Sequence, residues 1–284
     1  MDTTQSQQNP SPVPLGSGDN TKATIVIIGA GSIGLSTAYH LALHQASHNN
    51  DERIIVLDAL PKPFGATSGP CTGCLHYEFR EPEGGHLIEL GRYSFELWRS
   101  LAADGEGFRE APNRLGGRMG RCFDAQAPLV NPKGVGTWLS SECLRLGVDI
   151  RLSATATAVE LCQGNLIRAV VHEEGGAIPK RLDCQALVVA AGPWTPSVYQ
   201  ALFPSSAIKL RSDLHAGDWI LLCNPLPVSQ KSLAFIALDD IVGEKSEFTG
   251  RNDGTIWITG RKDHKSATLK CFHRWVNPQI QMRL

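Results

Sequence analysis

The chain has 284 residues, of which 42% are hydrophobic and 19% charged, with a formal net charge of -1. That balance is globular and leaves room for a sizeable core; it excludes a disordered average and any field of one sign that would recruit nucleic acid or an anionic membrane surface. Eight cysteines are spread from Cys71 to Cys271, which argues against a disulfide scaffold and for a reducing, cytoplasmic setting.

Residues 1–22 are polar, carry Pro10, Pro12 and Pro14, and show no signal-peptide pattern, so they read as a disordered leader. The run Thr24–Ile28 is apolar on both faces, as in a strand buried within a parallel sheet. A helix is expected from about Ser32 to Ala46, then a second buried strand, Arg53–Leu57, ending at Asp58. The apolar stretch Ile25–Leu43 approaches membrane-spanning length, but its glycine cluster splits it into a strand half and a helix half, so no transmembrane segment is predicted. The sequence PKPFGATSGPCTG that follows Leu60 is turn-rich.

The spacing of Leu87, Leu90, Tyr93, Leu97 and Leu101 predicts a helix over Gly85–Leu101, and residues 104–131 read as loops with short strands. Pro132–Leu146 is expected to be helical, with Pro132 in the first turn and Gly147 past the end. Strand-like runs follow at Asp149–Ser153, Ala156–Leu161, Leu166–His172 and Ala186–Ala191, the last expected to be buried on both faces. From Ile208 to about Gly260 the pattern is strand-rich without clear helices, which suits an antiparallel sheet in a second lobe.

Gly29-Ala30-Gly31-Ser32-Ile33-Gly34 lies between the first strand and its helix, the context that gives a G-x-G-x-x-G meaning. Gly29 permits the tight turn, Gly31 lets backbone N–H groups approach a pyrophosphate, and Gly34 lets helix and strand pack closely. The helix N-terminus then favours the anion. Asp58 lies 24 residues beyond Gly34, where an acid can bind a ribose hydroxyl and disfavours a 2′-phosphate.

Taken in order, ATIVIIGAGSIGLSTAYHLA, IIVLDALPKPFGATSGPCTG, DIRLSATATAVE and ALVVAAGPWT resemble the D-amino-acid oxidase-like superfamily of FAD-dependent oxidoreductases over residues 23 to about 260, and SGPCTGCLHY resembles a fungal branch of it. The resemblance implies FAD as cofactor, with Gly29, Gly31, Ser32, Ile33 and Gly34 at the pyrophosphate and Asp58 at the adenosine ribose. It places Ala66, Thr67 and Ser68 beside the pyrophosphate and Thr72 and Gly73 towards the flavin. The backbone of Val159 would face the adenine, and Ala191 and Gly192 would form the turn closing over the cofactor. The Cys71/Cys74 pair lacks the second pair a zinc site needs and does not open a helix as a thioredoxin-like motif does, so no metal is expected.

The fold class expected is α/β: a Rossmann-like FAD-binding domain interlocked with an antiparallel-sheet substrate domain. The FAD domain would comprise 23–103 and 131–207, and the substrate lobe 104–130 and 208–262. The tail, 263–284, diverges from the family pattern; the Gly-rich return expected beside the flavin is not seen there, so the chain reads as truncated and weak FAD binding or aggregation is expected. The implied activity is oxidation of the C–N bond of an amino acid or related amine, with Arg118, Arg121 or Arg211 as candidate anchors for a substrate carboxylate. Two other readings stand beside it: an inactive FAD fold serving as an interaction module, and a NAD-dependent dehydrogenase.

Overall fold

A computed structural model describes residues 22–48, 52–73, 75, 87–103, 130–211, 216–223, 232–237, 245–250 and 254–263. The first strand, β1 (Thr24–Ile28), leads through the glycine turn into helix α1 (Ser32–His48), and β2 (Arg53–Asp58) returns beside β1. Helices α2 (Ile88–Ala103) and α3 (Pro132–Arg145) precede β3 (Asp149–Leu152). An antiparallel meander of β4 (Ala154–Leu161), β5 (Ile167–Glu174) and β6 (Lys180–Asp183) follows, then β7 (Ala186–Val189) and helix α4 (Thr195–Leu202). The remaining described strands are β8 (Ala216–Cys223), β9 (Ser232–Ala237), β10 (Lys245–Gly250) and β11 (Thr255–Asp263).

Three sheets form among the described residues. The central one has the order β3-β2-β1-β7 and every pair in it is parallel. The meander has the order β4-β5-β6, and the sheet of the second lobe runs β8-β11-β10-β9, both antiparallel. The parallel sheet is covered on both faces, and alternate residues of one strand serve different cores. Ile27, Ile54 and Val56 pack with Leu35, Ala38 and Ala42 of α1 and Val135, Leu139 and Cys143 of α3. Val26, Ile55 and Leu57 point the other way and meet Ala154, Val170 and Cys184 of the meander. The layers are therefore helices, parallel sheet and antiparallel sheet, with the strand ends that carry the glycine turn held from both sides.

Among the described residues the expected helices and strands occur with shifted limits, whereas the leader expected over 1–22 and the loops with short strands expected over 104–131 lie, but for their last residues, outside them. The helix expected from Gly85 begins at Ile88 among the described residues, and the strand expected to start at Ala156 begins at Ala154. A left-handed Ser153, at φ 52°, turns the chain between β3 and β4, so the two strands enter different sheets. Two described elements have no counterpart in the sequence reading: β6, whose sequence KRLD has a single apolar residue, and α4, which starts directly after the Gly192–Trp194 turn. Strand β7, expected to be buried on both faces, is only half-buried, because it forms an end of the parallel sheet among the described residues. No helix among the described residues is long and apolar enough to cross a membrane.

Candidate functional site

The site begins with steric necessity at the glycine turn. Gly29 has φ 113°, and a Cβ there would run into the carbonyl oxygen of Ala190 just beyond β7. A Cβ on Gly34 would collide with the Gly29 carbonyl oxygen, so α1 lies directly on the end of β1. Two backbone bonds fix the height of the turn: the Gly29 N–H donates to Leu57 O at 2.7 Å and the Ala190 N–H donates to Ile28 O at 2.8 Å. Ala191 and Gly192 follow immediately, with Gly192 at φ 56°, and the Ala191 nitrogen lies 3.3 Å from where a Gly29 Cβ would be.

The segment 60–73 wraps the same turn. The Phe64 N–H donates to Ala30 O at 2.9 Å, and Phe64 itself is left-handed at φ 54° and buried. A non-glycine residue pays about 1–2 kcal/mol for that backbone conformation; the buried ring, seated against Gly136 of α3 and tied into the helix-side core, offsets it. Ser68 then sits over the start of α1. Its Oγ accepts the Ser32 N–H at 3.1 Å, donates to Ser32 Oγ at 3.3 Å, and would lie 3.1 Å from a Cβ on Gly31. A hydroxyl oxygen at an unpaired helix N–H marks the place where a phosphate oxygen is also favoured.

Asp58 closes the other side. Its Oδ2 accepts the Ala30 N–H at 2.6 Å and its Oδ1 accepts the Leu60 N–H at 2.7 Å. Burial pushes its carboxyl above the ordinary value, and the two backbone N–H groups pull it back only in part. The Leu60 carbonyl in turn accepts from Ser153 N, and the Ser153 carbonyl from Gly175 N, each at 3.0 Å. The acid at the end of β2 is thus linked through backbone bonds to the corner before β4 and the turn after β5.

A cavity of about 390 Å³ opens beside Ser32 and Ser68, with Thr72 and Gly73 in its wall and Phe64, Trp98 and Val135 supplying apolar surface. Gly73 holds the wall to the start of α3: its carbonyl accepts the Val130 N–H at 2.8 Å. Asn131 caps that helix, its side chain accepting from Lys133 N at 3.1 Å and Gly134 N at 3.4 Å. Polar groups at the start of α1 and apolar side chains thus line the same cavity, a mixture that ligand sites for dinucleotides use.

Among the expected site residues, the structure brings Gly29, Gly31, Ser32, Gly34, Asp58, Ser68, Ala191 and Gly192 together at one turn, with Thr72 and Gly73 in the adjoining wall. Ala66 belongs to the same loop, its carbonyl accepting the Gly69 N–H at 3.2 Å, and Thr67 is exposed between Ala66 and Ser68. Ile33 is exposed in the first turn of α1. Val159 lies on β4, opposite Val170, with its side chain packed against the meander-side core that also takes Val26 of β1 and Leu57 of β2. Cys71 is exposed in the cavity wall, its Sγ donating to Ser68 O at 3.1 Å; Cys74 lies outside the described residues, as do Arg118 and Arg121. Arg211 is exposed and is not among the residues lining the cavity. Among the described residues no cluster of three or more His, Cys, Asp or Glu is placed to hold a metal. Sequence reasoning missed Phe64 as the wedge of the loop and Asp58 as an acceptor for backbone N–H groups.

Comparison with solved structures yields the same architecture. The chain is similar to L-amino acid deaminase from Proteus myxofaciens, with a TM-score of 0.55 at 18% identity, over 86% of this chain and 59% of that one. L-amino acid deaminase from Proteus vulgaris gives 0.56 at 14% identity, over 86% and 62%. Glycine oxidase from Bacillus cereus gives 0.56 at 16% identity, over 85% and 72%. The match thus spans less than two thirds of the length of either deaminase, and at these identities the likeness is one of fold. The family comparison goes further, matching residues 24–111 and 106–280, and by it the chain belongs to the FAD dependent oxidoreductase (DAO) family.

Proposed function

We propose that this chain is a flavoprotein oxidoreductase that oxidises the C–N bond of an amino acid or related amine. The observation that carries the reading is the meeting of the α1 N-terminus, the Ser68 hydroxyl and the Asp58 carboxylate around one glycine turn that opens into a partly apolar cavity. Bound there, FAD would supply a flavin able to accept a hydride from the carbon bearing the amine.

The chain's own residues would bind and orient. Backbone N–H groups of Gly31, Ser32 and Ile33 would meet the pyrophosphate, with Gly29 and Gly34 keeping the approach open. Asp58, each of whose oxygens keeps a lone pair beyond its backbone bond, would accept from a ribose hydroxyl. Ala66, Thr67 and Ser68 would run along the pyrophosphate, and Thr72 and Gly73 towards the flavin. The backbone of Val159 would meet the adenine, and Ala191 and Gly192 would close the turn over the cofactor. That the deaminases and the glycine oxidase of the same fold act, by their names, on amino acids supports the substrate class. Cytoplasmic placement is part of the proposal and rests on the dispersal of eight cysteines along the chain, from Cys71 to Cys271, rather than their crowding into a short scaffold.

Equilibrium dialysis of the purified chain against FAD tests the cofactor, because it registers weak binding as well as tight. An excess of flavin absorption on the protein side, released to the supernatant on acid precipitation, is expected, and equal flavin on both sides would sink the reading. Anaerobic mixing with a panel of amino acids and amines should then bleach the bands. Retained bands with no bleaching by any member would reject C–N oxidation while leaving the cofactor in place.

A further inference from the structure

Away from the glycine turn, α1 carries a ladder of imidazoles: His40, His44 and His48 recur at intervals of four. The helix faces the core with Leu35, Ala38 and Ala42, and all three histidines are exposed. Side chains four apart on a helix are neighbours, with Cβ atoms about 5–6 Å apart, so each adjacent pair can share one ion. His40 and His48, eight residues apart, are separated by about 12 Å of helix rise and cannot do so.

Geometry separates the two adjacent pairs. The rings of His44 and His48 already lie together, centroids 4.1 Å apart and 18° from parallel. His48 Nδ1 is 2.9 Å from the His44 carbonyl oxygen, which can only accept. In the neutral ring the proton is therefore on Nδ1, and Nε2 carries the lone pair. A backbone carbonyl holding Nδ1–H is the usual outer support of a metal-bound histidine. Ser47 completes it, donating to the same carbonyl at 2.8 Å with its oxygen 2.8 Å from His48 Nδ1.

The charge environment agrees. His48 is in the last turn of α1, where the helix dipole favours a cation, and that turn holds no Lys or Arg. Gln45 Nε2 donates to Glu52 Oε2 at 3.2 Å, which brings a carboxylate to the same end of the helix. We propose that His44 and His48 form a two-imidazole chelate for a borderline divalent cation of the Ni²⁺, Cu²⁺ or Zn²⁺ class, clamping the last turns of α1. Rotation of the exposed His44 side chain out of the stack would bring both Nε2 atoms to the ion, with water in the other positions. Hard cations such as Mg²⁺ and Ca²⁺, which take oxygen ligands, would not bind. The proposal is independent of the cofactor and of any activity.

The test is calorimetric titration of the untagged full chain with Ni²⁺, and separately with Mg²⁺. One Ni²⁺ per chain and no Mg²⁺ are expected. His44→Ala and His48→Ala should each weaken Ni²⁺ roughly a hundredfold, the advantage of a second tethered ligand, and His40→Ala should leave it within about twofold. All three positions are exposed and alanine is the best helix former, so circular dichroism should show the three variants folded alike. Binding that survives in the His44→Ala/His48→Ala double variant would overturn the proposal as adventitious. A loss on His40→Ala as large as that on His48→Ala would overturn it by placing the ion on the other pair, and no Ni²⁺ binding at all would overturn it outright.

Discussion

Replacing Asp58 by Ala and by Asn separates its work on the fold from any work on a ligand. The carboxylate receives N–H groups from two segments, Ala30 of the glycine turn and Leu60 of the wrapping loop. A donor left unmet away from water costs about 1–3 kcal/mol; because Asp58 is only half-buried, water can reach part of the gap, and we expect Asp58→Ala to lose about 2 kcal/mol. Asn keeps one acceptor oxygen and turns an NH₂ towards the other N–H, so it should lose about 1–2 kcal/mol near neutral pH. Burial acts in the opposite sense. It is the largest influence on this carboxyl and raises it, so the folded state binds the proton more tightly than the unfolded chain. Stability contributed through this group is then greatest at low pH and falls as pH rises from about 3.9, the unfolded value, through the raised folded value. The deficit of Asp58→Asn relative to wild type should accordingly shrink across that window. Urea unfolding without added FAD, followed by far-UV circular dichroism over a pH series, measures both effects. An Asp58→Ala variant within about 0.5 kcal/mol of wild type would refute the first, and a deficit that widens with pH would refute the second.

Gly34→Ala should abolish both the flavin spectrum and a cooperative thermal transition near that of wild type, because its Cβ would meet the Gly29 carbonyl, which is backbone and cannot step aside. Ser68→Ala removes one hydroxyl from the α1 N-terminus and should cost about 1 kcal/mol in FAD affinity, close to fivefold by fluorescence titration, with a stability loss of similar or smaller size. Gly136→Ala should displace the buried Phe64 ring, since the new Cβ would sit 2.6 Å from Phe64 Cγ; a destabilisation of about 1–3 kcal/mol is expected from overpacking, and an unchanged urea midpoint would count against the wedge. On the far edge of the parallel sheet, burial raises the Asp149 carboxyl, but hydrogen bonds and charge from Arg151 and Arg53 outweigh it and hold the group below its ordinary value. That stability is present above about pH 3.9, the unfolded value, and is lost as pH falls through the lowered folded value. Asp149→Asn should therefore show a shallower acid loss in urea unfolding than wild type.

What the sequence exposed follows from which constraints are local. The glycine turn was legible because Gly29 and Gly34 answer to contacts that any side chain would violate, and such contacts recur wherever a strand feeds a helix this closely. Strands β1 and β2 were legible because each is covered on both faces. Strand β6 was not, because KRLD at the outer edge of the meander turns a single apolar residue, Leu182, to the core and shows no periodicity. Nothing in the sequence marked Phe64 as left-handed, since its conformation is imposed by the Ala30 carbonyl on one side and Gly136 on the other.

The site residues show a subtler limit. Their types were readable as ligand-binding types, yet two of them also hold the protein's own backbone: Asp58 accepts from Ala30 and Leu60, and Ser68 from Ser32. A carboxylate suited to a ribose hydroxyl is equally suited to an amide N–H, and a hydroxyl beside a helix start serves a phosphate or the helix alike. Position and chemistry alone cannot divide those roles, because both draw on the same lone pairs. The division is energetic: a residue that acts only on the ligand leaves the ligand-free protein unchanged when it is replaced, whereas Asp58 joins the glycine turn to the loop that wraps it. Its substitution should therefore be felt in the fold before any cofactor is added, and the part of a lost FAD affinity that exceeds this cost is the part owed to direct contact.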